Sequence, residues 1–222
     1  MLRKQNGFSF IEISIVLVII GLLLGGTLKG QELITSARVR HLVAQQDDIK
    51  AAYFGFLDRY RALPGDYIAA RANIPNCGAC ENGNGNGQIL TNGPAILESV
   101  AAWSHLSKSG FIAGSYNYVA GDAASPANTP VNSYGALMQL IYDNNYSGVG
   151  VATNRHNLKT GNNLPSNLLA EIDLKVDDSR ATGGQLRYSN YGSAAAIAAC
   201  TLASGVWISA SPESNCGAVT LL

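Results

Sequence analysis

A chain of 222 residues with 15 basic and 15 acidic side chains has no charge excess to attract nucleic acid, and no basic stripe stands out in it. Charged residues make up 14% of the sequence, against about 25% in ordinary soluble domains, and glycine is abundant at 24 residues. That length suits one membrane-anchoring segment plus one globular unit with a single core.

The chain opens Met1-Leu-Arg3-Lys4-Gln-Asn-Gly7, followed by an apolar run from Phe8 to Leu28 that carries a single charge, Glu12. Twenty-one residues at ~1.5 Å each match a hydrocarbon core of ~30 Å, so the run is read as a membrane span. Arg3 and Lys4 ahead of it place the N-terminus in the cytoplasm and the rest of the chain outside. Glu12 is costly there, roughly 2.5–3.5 kcal/mol at a membrane centre and less near an end, which makes it a functional candidate. The sequence offers it a cation only after a cut between Gly7 and Phe8. The freed α-amine of Phe8 then lies four residues away on the same helix face, or pairs with Glu12 of a neighbouring chain. A secretory signal peptide fits less well. Glu12 interrupts its apolar region, and Gly26-Thr27-Leu28-Lys29 is a poor small-residue cleavage site.

A short basic leader, Gly7, Phe8 and then Glu12 ahead of a long apolar helix together resemble the processing site of type IV prepilins and type II secretion pseudopilins. The resemblance implies that a membrane-embedded prepilin peptidase cuts after Gly7 and methylates Phe8. It also implies that Glu12 serves recruitment into a filament. Ser9-Phe10 departs slightly from the commonest Thr-Leu. Without residues 1–7 the balance becomes 13 basic against 15 acidic residues, a net of −2.

No proline occurs between Met1 and Leu63, so one helix is expected from about residue 8 to 61. Leu42, Ile49, Tyr53, Phe56, Leu57 and Tyr60 form an apolar stripe along its second half. Gly21, Gly25, Gly26 and Gly30 weaken its first half, each by ~1 kcal/mol relative to Ala, and suit either close helix packing or local unwinding. Ala62-Leu63-Pro64-Gly65 ends the helix in a turn. Leu63-Pro64-Gly65-Asp66 also resembles a segment found at this place in larger prepilin-like proteins. So do Glu98 with Trp103 and His105, and the stretch Ile172 to Asp178.

Beyond the turn, Pro94 to Ser109 reads as a helix with Trp103 inside and His105 partly exposed. Tyr134–Tyr142 and Gly148–Thr153 read as strands about a turn at Asp143-Asn144-Asn145. Asn167–Leu174 reads as a helix capped by Ser166, with strand candidates at Gln185–Ser189 and Gly205–Ser209. The expected class is α+β: a long N-terminal helix packed on an antiparallel-sheet head. Its divisions are a leader at 1–7, a transmembrane and filament-core helix at 8–29, an amphipathic continuation at 30–61 and a head at 62–222.

Four cysteines in an exported chain point to two disulfides with three connectivities open; Cys77–Cys80 with Cys200–Cys216 is the favoured one. Asn82, Asn84 and Asn86 fall at positions 1, 3 and 5 of a calcium-type loop, but position 12 is Gly93. Asp173, Asp177 and Asp178 form a second candidate calcium set, and no other cofactor is expected. His41, His105 and His156 stand apart from one another, and no nucleophile, phosphate-loop or metalloprotease motif occurs, so no enzyme is expected. The resemblance implies as partners other pilin subunits, alike or different, the prepilin peptidase and an inner-membrane assembly platform. It also implies membrane residence before assembly and a periplasmic or extracellular filament afterwards. A low-abundance tip subunit with a binding head is the alternative.

Overall fold

The computed structural model describes residues 9–92, 96–148 and 152–222. The expected leader, Phe8, Gly93, Pro94 and residues 149–151 of the expected Gly148–Thr153 strand lie outside these residues. The described residues of that stretch form no strand, and the strand after the Asp143 turn is Arg155–Lys159. The chain divides into two compact units, one up to Arg40 and one from His41 to Leu222.

Helix α1 (Phe10–Tyr60) runs for 51 residues and is, among the described residues, the one helix long and apolar enough to cross a membrane. In the first unit its apolar side chains, Phe10 through Ile34, are exposed. A side chain of this kind loses roughly 1.5–3 kcal/mol in water relative to burial, so this surface calls for lipid or other apolar helices.

In the second unit the stripe is buried as its spacing predicts: Leu42, Ile49, Tyr53 and Phe56 are inside, with Ala52 beside them. The helix stops at Tyr60 because Arg61 turns left-handed (φ 53°), and Pro64 follows three residues on. The chain then passes through a one-turn helix α2 (Ala70–Asn73) and a short hairpin of β1 (Thr91–Asn92) and β2 (Ile96–Leu97). Helix α3 (Glu98–Lys108) follows. It begins four residues later than the sequence suggests, because Ile96 pairs with Asn92 and Leu97 stays extended. Val100, Trp103 and Leu106 face inward.

A four-stranded antiparallel sheet completes the unit: β3 (Gln139–Asp143), β4 (Arg155–Lys159), β5 (Leu186–Tyr188) and β6 (Ala218–Leu221), in the order β3-β4-β6-β5. Leu140 faces Leu158 across the first pair, and Leu158 and Leu186 both face Thr220. Residues in register share a face, and Leu140 and Leu158 close the core formed by Ile49, Tyr53, Phe56, Trp103 and Leu106. The architecture is therefore α+β, with the second half of α1 and α3 built into the core of the sheet.

Helix α4 (Ser166–Val176) buries Leu168, Leu169 and Ile172. Ser166 does not cap it: its hydroxyl donates to the Ile208 carbonyl at 2.7 Å, and Pro165 takes the cap position. Gly205–Ser209 forms no strand, only isolated bridges from Val206 to Arg180 and from Trp207 to Thr201. A one-turn helix α5 (Ile197–Cys200) leads into the Cys200–Cys216 disulfide, while Cys77 bonds Cys80. Closing the loop between Cys200 and Cys216, 16 residues apart, contributes ~3 kcal/mol in the chain-entropy account.

Candidate functional site

The N-terminal end of α1 is set by a reciprocal pattern of short range. Ser9 precedes the helix, and its carbonyl accepts the Glu12 N–H at 3.1 Å. The Glu12 carboxylate reaches back and accepts the Ser9 N–H at 2.9 Å. That is the acid's half of a capping box, and it places a negative charge in the first turn, where the helix dipole favours it. Glu12 thus has a partner before any cut. Charge pairing in the sequence points to a cation and does not name this backbone donor, although Ser9 three residues ahead of Glu12 is the signal for it. Gly7 and Phe8 lie outside the described residues.

Along the same exposed stretch, a Cβ added at Gly21, Gly25, Gly26 or Gly30 would meet no atom within 4 Å. Packing within the unit therefore does not demand these four glycines.

In the head, the candidate groups meet around the turn after α1. The Asn82–Leu90 loop wraps two acids. Asp66 accepts the N–H groups of Asn86 and Gly87, and Glu98 accepts those of Asn84 and Leu90, at 2.8–3.1 Å. The asparagine oxygens face backbone donors as well: Asn82 accepts from Arg71, Asn84 from Asn86, and Asn86 from Gln88. A calcium loop converges oxygens on a cation, whereas this loop converges N–H groups on carboxylates. Gly83 permits the approach, since a Cβ there would lie 2.2 Å from the Asp66 carbonyl carbon.

His105 is fully buried, not partly exposed. Its Nδ1 accepts the Gly65 N–H at 2.9 Å and its Nε2–H donates to the Glu81 carbonyl at 2.8 Å, which fixes the neutral tautomer. Burial pulls its pKa down to about 4, against a smaller upward pull from the Glu81 carbonyl. The unfolded chain takes this proton below pH ~6.5 and the folded chain only near 4, so this stability is complete above 6.5 and drains as pH falls to 4. The full loss is ~3 kcal/mol. His156, also lowered by burial, acts in the same direction. Glu98 and Asp173 oppose it: burial raises both, Asp173 to about 6, so the folded state takes their protons first as pH falls. In urea unfolding at a series of pH values, wild type should therefore exceed His105→Gln by a margin that shrinks by up to ~3 kcal/mol between pH 7 and 4. A constant margin would show that His105 takes up its proton equally in the folded and unfolded chains, so that burial does not shift it.

Carboxylate oxygens of Asp173, Asp177 and Asp178 lie within 4.8 Å of one another. Donors of the chain itself face them. Asp173 accepts from Trp207 Nε1 (2.7 Å) and the Ser179 N–H, Asp177 from the Gln185 and Leu186 N–H groups, and Asp178 from the Arg180 N–H. The cluster ties the end of α4 to the start of β5 and to Trp207.

Of the three histidines, His41 contacts Ser133 and His156 lies against Tyr53 and Tyr142. Residues 2–28 match the model of the prokaryotic N-terminal methylation motif. No curated protein and no solved structure matches the chain. The matched motif is the type IV prepilin-like signal. It supports a pilin- or pseudopilin-like precursor, points to a structural protein over an enzyme, and implies in general polymeric assembly and processing by a prepilin peptidase. Together with the apolar helix it suggests membrane anchoring before assembly.

Proposed function

We propose that the chain is a structural subunit of a type IV pilus or a type II secretion-like pseudopilus. Prepilin peptidase cuts after Gly7, methylates Phe8 and leaves residues 8–29 as the membrane anchor. The carrying observation is that the methylation motif over residues 2–28 coincides with an apolar, exposed helix whose first turn holds Glu12. The leader cations Arg3 and Lys4 hold the N-terminus in the cytoplasm, so the head faces the periplasm or the exterior. On extraction from the membrane by an inner-membrane platform, the exposed apolar helices bundle, and residues 30–61 carry the bundle on to the head. The two disulfides suit that oxidising side.

N-terminal sequencing and mass measurement of the protein from cell envelopes test this reading. The mature chain should begin at N-methylated Phe8; any other start removes the processing claim. A second reading, a low-abundance tip subunit, is favoured by the size of the globular unit, which runs from His41 to Leu222. Subunit counts in purified filaments separate the two, since a tip protein is rare and a shaft protein abundant.

A further inference from the structure

The turn between β3 and β4 carries a triplet on which the proposed function does not draw. Asn145-Tyr146-Ser147 is the one Asn-x-Ser/Thr triplet in the sequence, and its middle residue is not proline. Asp143 stands two positions before the asparagine, so the stretch also meets the stricter acid-x-Asn-x-Ser form of an acceptor site.

The structure presents this triplet on the surface. Asn144 and Asn145 are exposed at the end of β3. Asp143 shapes the turn: its carboxylate accepts the Asn145 N–H at 3.2 Å and the Asn157 side-chain amide at 2.9 Å, and it pairs with Lys159. The Asn145 carbonyl accepts from Ser189 at 3.2 Å. Backbone bonds thus hold the residue, while its side-chain amide has no hydrogen-bond partner among the described residues. Ser147 is held more firmly. Its N–H donates to the Tyr188 carbonyl at 2.9 Å, and its hydroxyl donates to the Ala181 carbonyl. Local opening of those two bonds frees the hydroxyl that an acceptor site must offer.

We propose that Asn145 is an acceptor for an N-linked glycan, attached on the exported side of the membrane. The donor is an oligosaccharide linked to a polyprenyl pyrophosphate. A new bond forms between Asn145 Nδ2 and the anomeric carbon of the first sugar. The bond from that carbon to the pyrophosphate oxygen breaks, its electron pair leaves with the lipid pyrophosphate, and one amide proton passes to the transferase. The glycan stands on solvent-facing surface, where its bulk and hydration are tolerated. This inference rests on the reading that the head is exported.

The test expresses the full chain, with an additional acceptor site in a flexible C-terminal tag, in bacteria that hold a periplasmic oligosaccharyltransferase reading acid-x-Asn-x-Ser/Thr and its lipid-linked donor. Mass spectrometry of peptides should find the glycan on both Asn145 and the tag. Asn145→Gln should retain only the tag glycan, and Ser147→Ala should lose most of the modification at Asn145. A modified tag with a bare Asn145 overturns the proposal and leaves the export reading intact. A bare tag together with a bare Asn145 overturns export and the proposal with it.

Discussion

Glu12→Ala should leave the chain cut after Gly7 while sheared filament fractions lose the subunit, and Glu12→Gln should fail to assemble as well. The Gln variant is the informative one, because Glu12 has two separable capacities. It caps α1 through the Ser9 N–H, and it carries charge into an apolar helix. Losing a cap costs ~1 kcal/mol, and a Gln side chain at this position still supplies an oxygen to Ser9. After the proposed cut, leaving the Phe8 ammonium without its counter-charge in an apolar bundle costs ~3–5 kcal/mol, a factor of roughly 150 to 4,000 per contact. The charge effect outweighs the cap effect, so Gln should resemble Ala. Immunoblots of sheared filaments against cell envelopes decide it. Normal filaments from Glu12→Gln would mean that the capping bond, not the charge, is what assembly needs.

Gly65→Ala should be a severely damaging single methyl in the head, costing ~3 kcal/mol or more, enough to deplete the folded protein. Two effects coincide there. The backbone is left-handed at φ 86°, which disfavours any side chain. An added Cβ would also lie 2.2 Å from the Glu98 carbonyl oxygen and 3.1 Å from the Ala102 nitrogen, and backbone atoms inside α3 have little room to yield. Any shift of Gly65 also breaks its N–H bond to His105. Gly78→Ala is the control, since an added Cβ there meets nothing within 4 Å. Urea unfolding in detergent, followed through the buried Trp103 and Trp207, should show a large drop for the first variant and little for the second. Equal midpoints would mean that the turn after α1 moves freely against α3.

What could be read in advance divides by sequence range. The start of α1, its apolar stripe and its stop at Tyr60 follow from charge, spacing and turn chemistry among near neighbours, and those are legible. The errors involve distant partners. His105 reads as partly exposed because the groups that cover it, Gly65 and Glu81, lie 40 and 24 residues away. The backbone hydrogen bonds of the Asn/Gly run are equally out of reach, because the acids that accept them, Asp66 and Glu98, lie outside it in sequence. Ser166 reads as a cap until Ile208 claims its hydroxyl. Strand β6 gives only four residues of signal, and its identity comes from Leu158 and Leu186 on either side. Of the candidate site, the methylation motif is the legible part. Its residues act through a short stretch of chain, and no tertiary contact has to be known first.

The sheet order has a consequence for the sequence of events in which the head can fold. β6 is the last strand in sequence yet lies between β4 and β5, and Thr220 donates to Gln46, 174 residues away. On the proposed route the N-terminal helix is the membrane anchor and the rest of the chain emerges behind it in sequence order. β3 and β4 can pair early, but β4 and β5 then wait with open edges until Ala218–Leu221 arrives to join them. On that route each head keeps two unsatisfied strand edges open until its last residues emerge, and such edges invite pairing with a neighbouring copy. Completion of each head is therefore a timed event, and a chain stalled before β6 is a candidate for disposal.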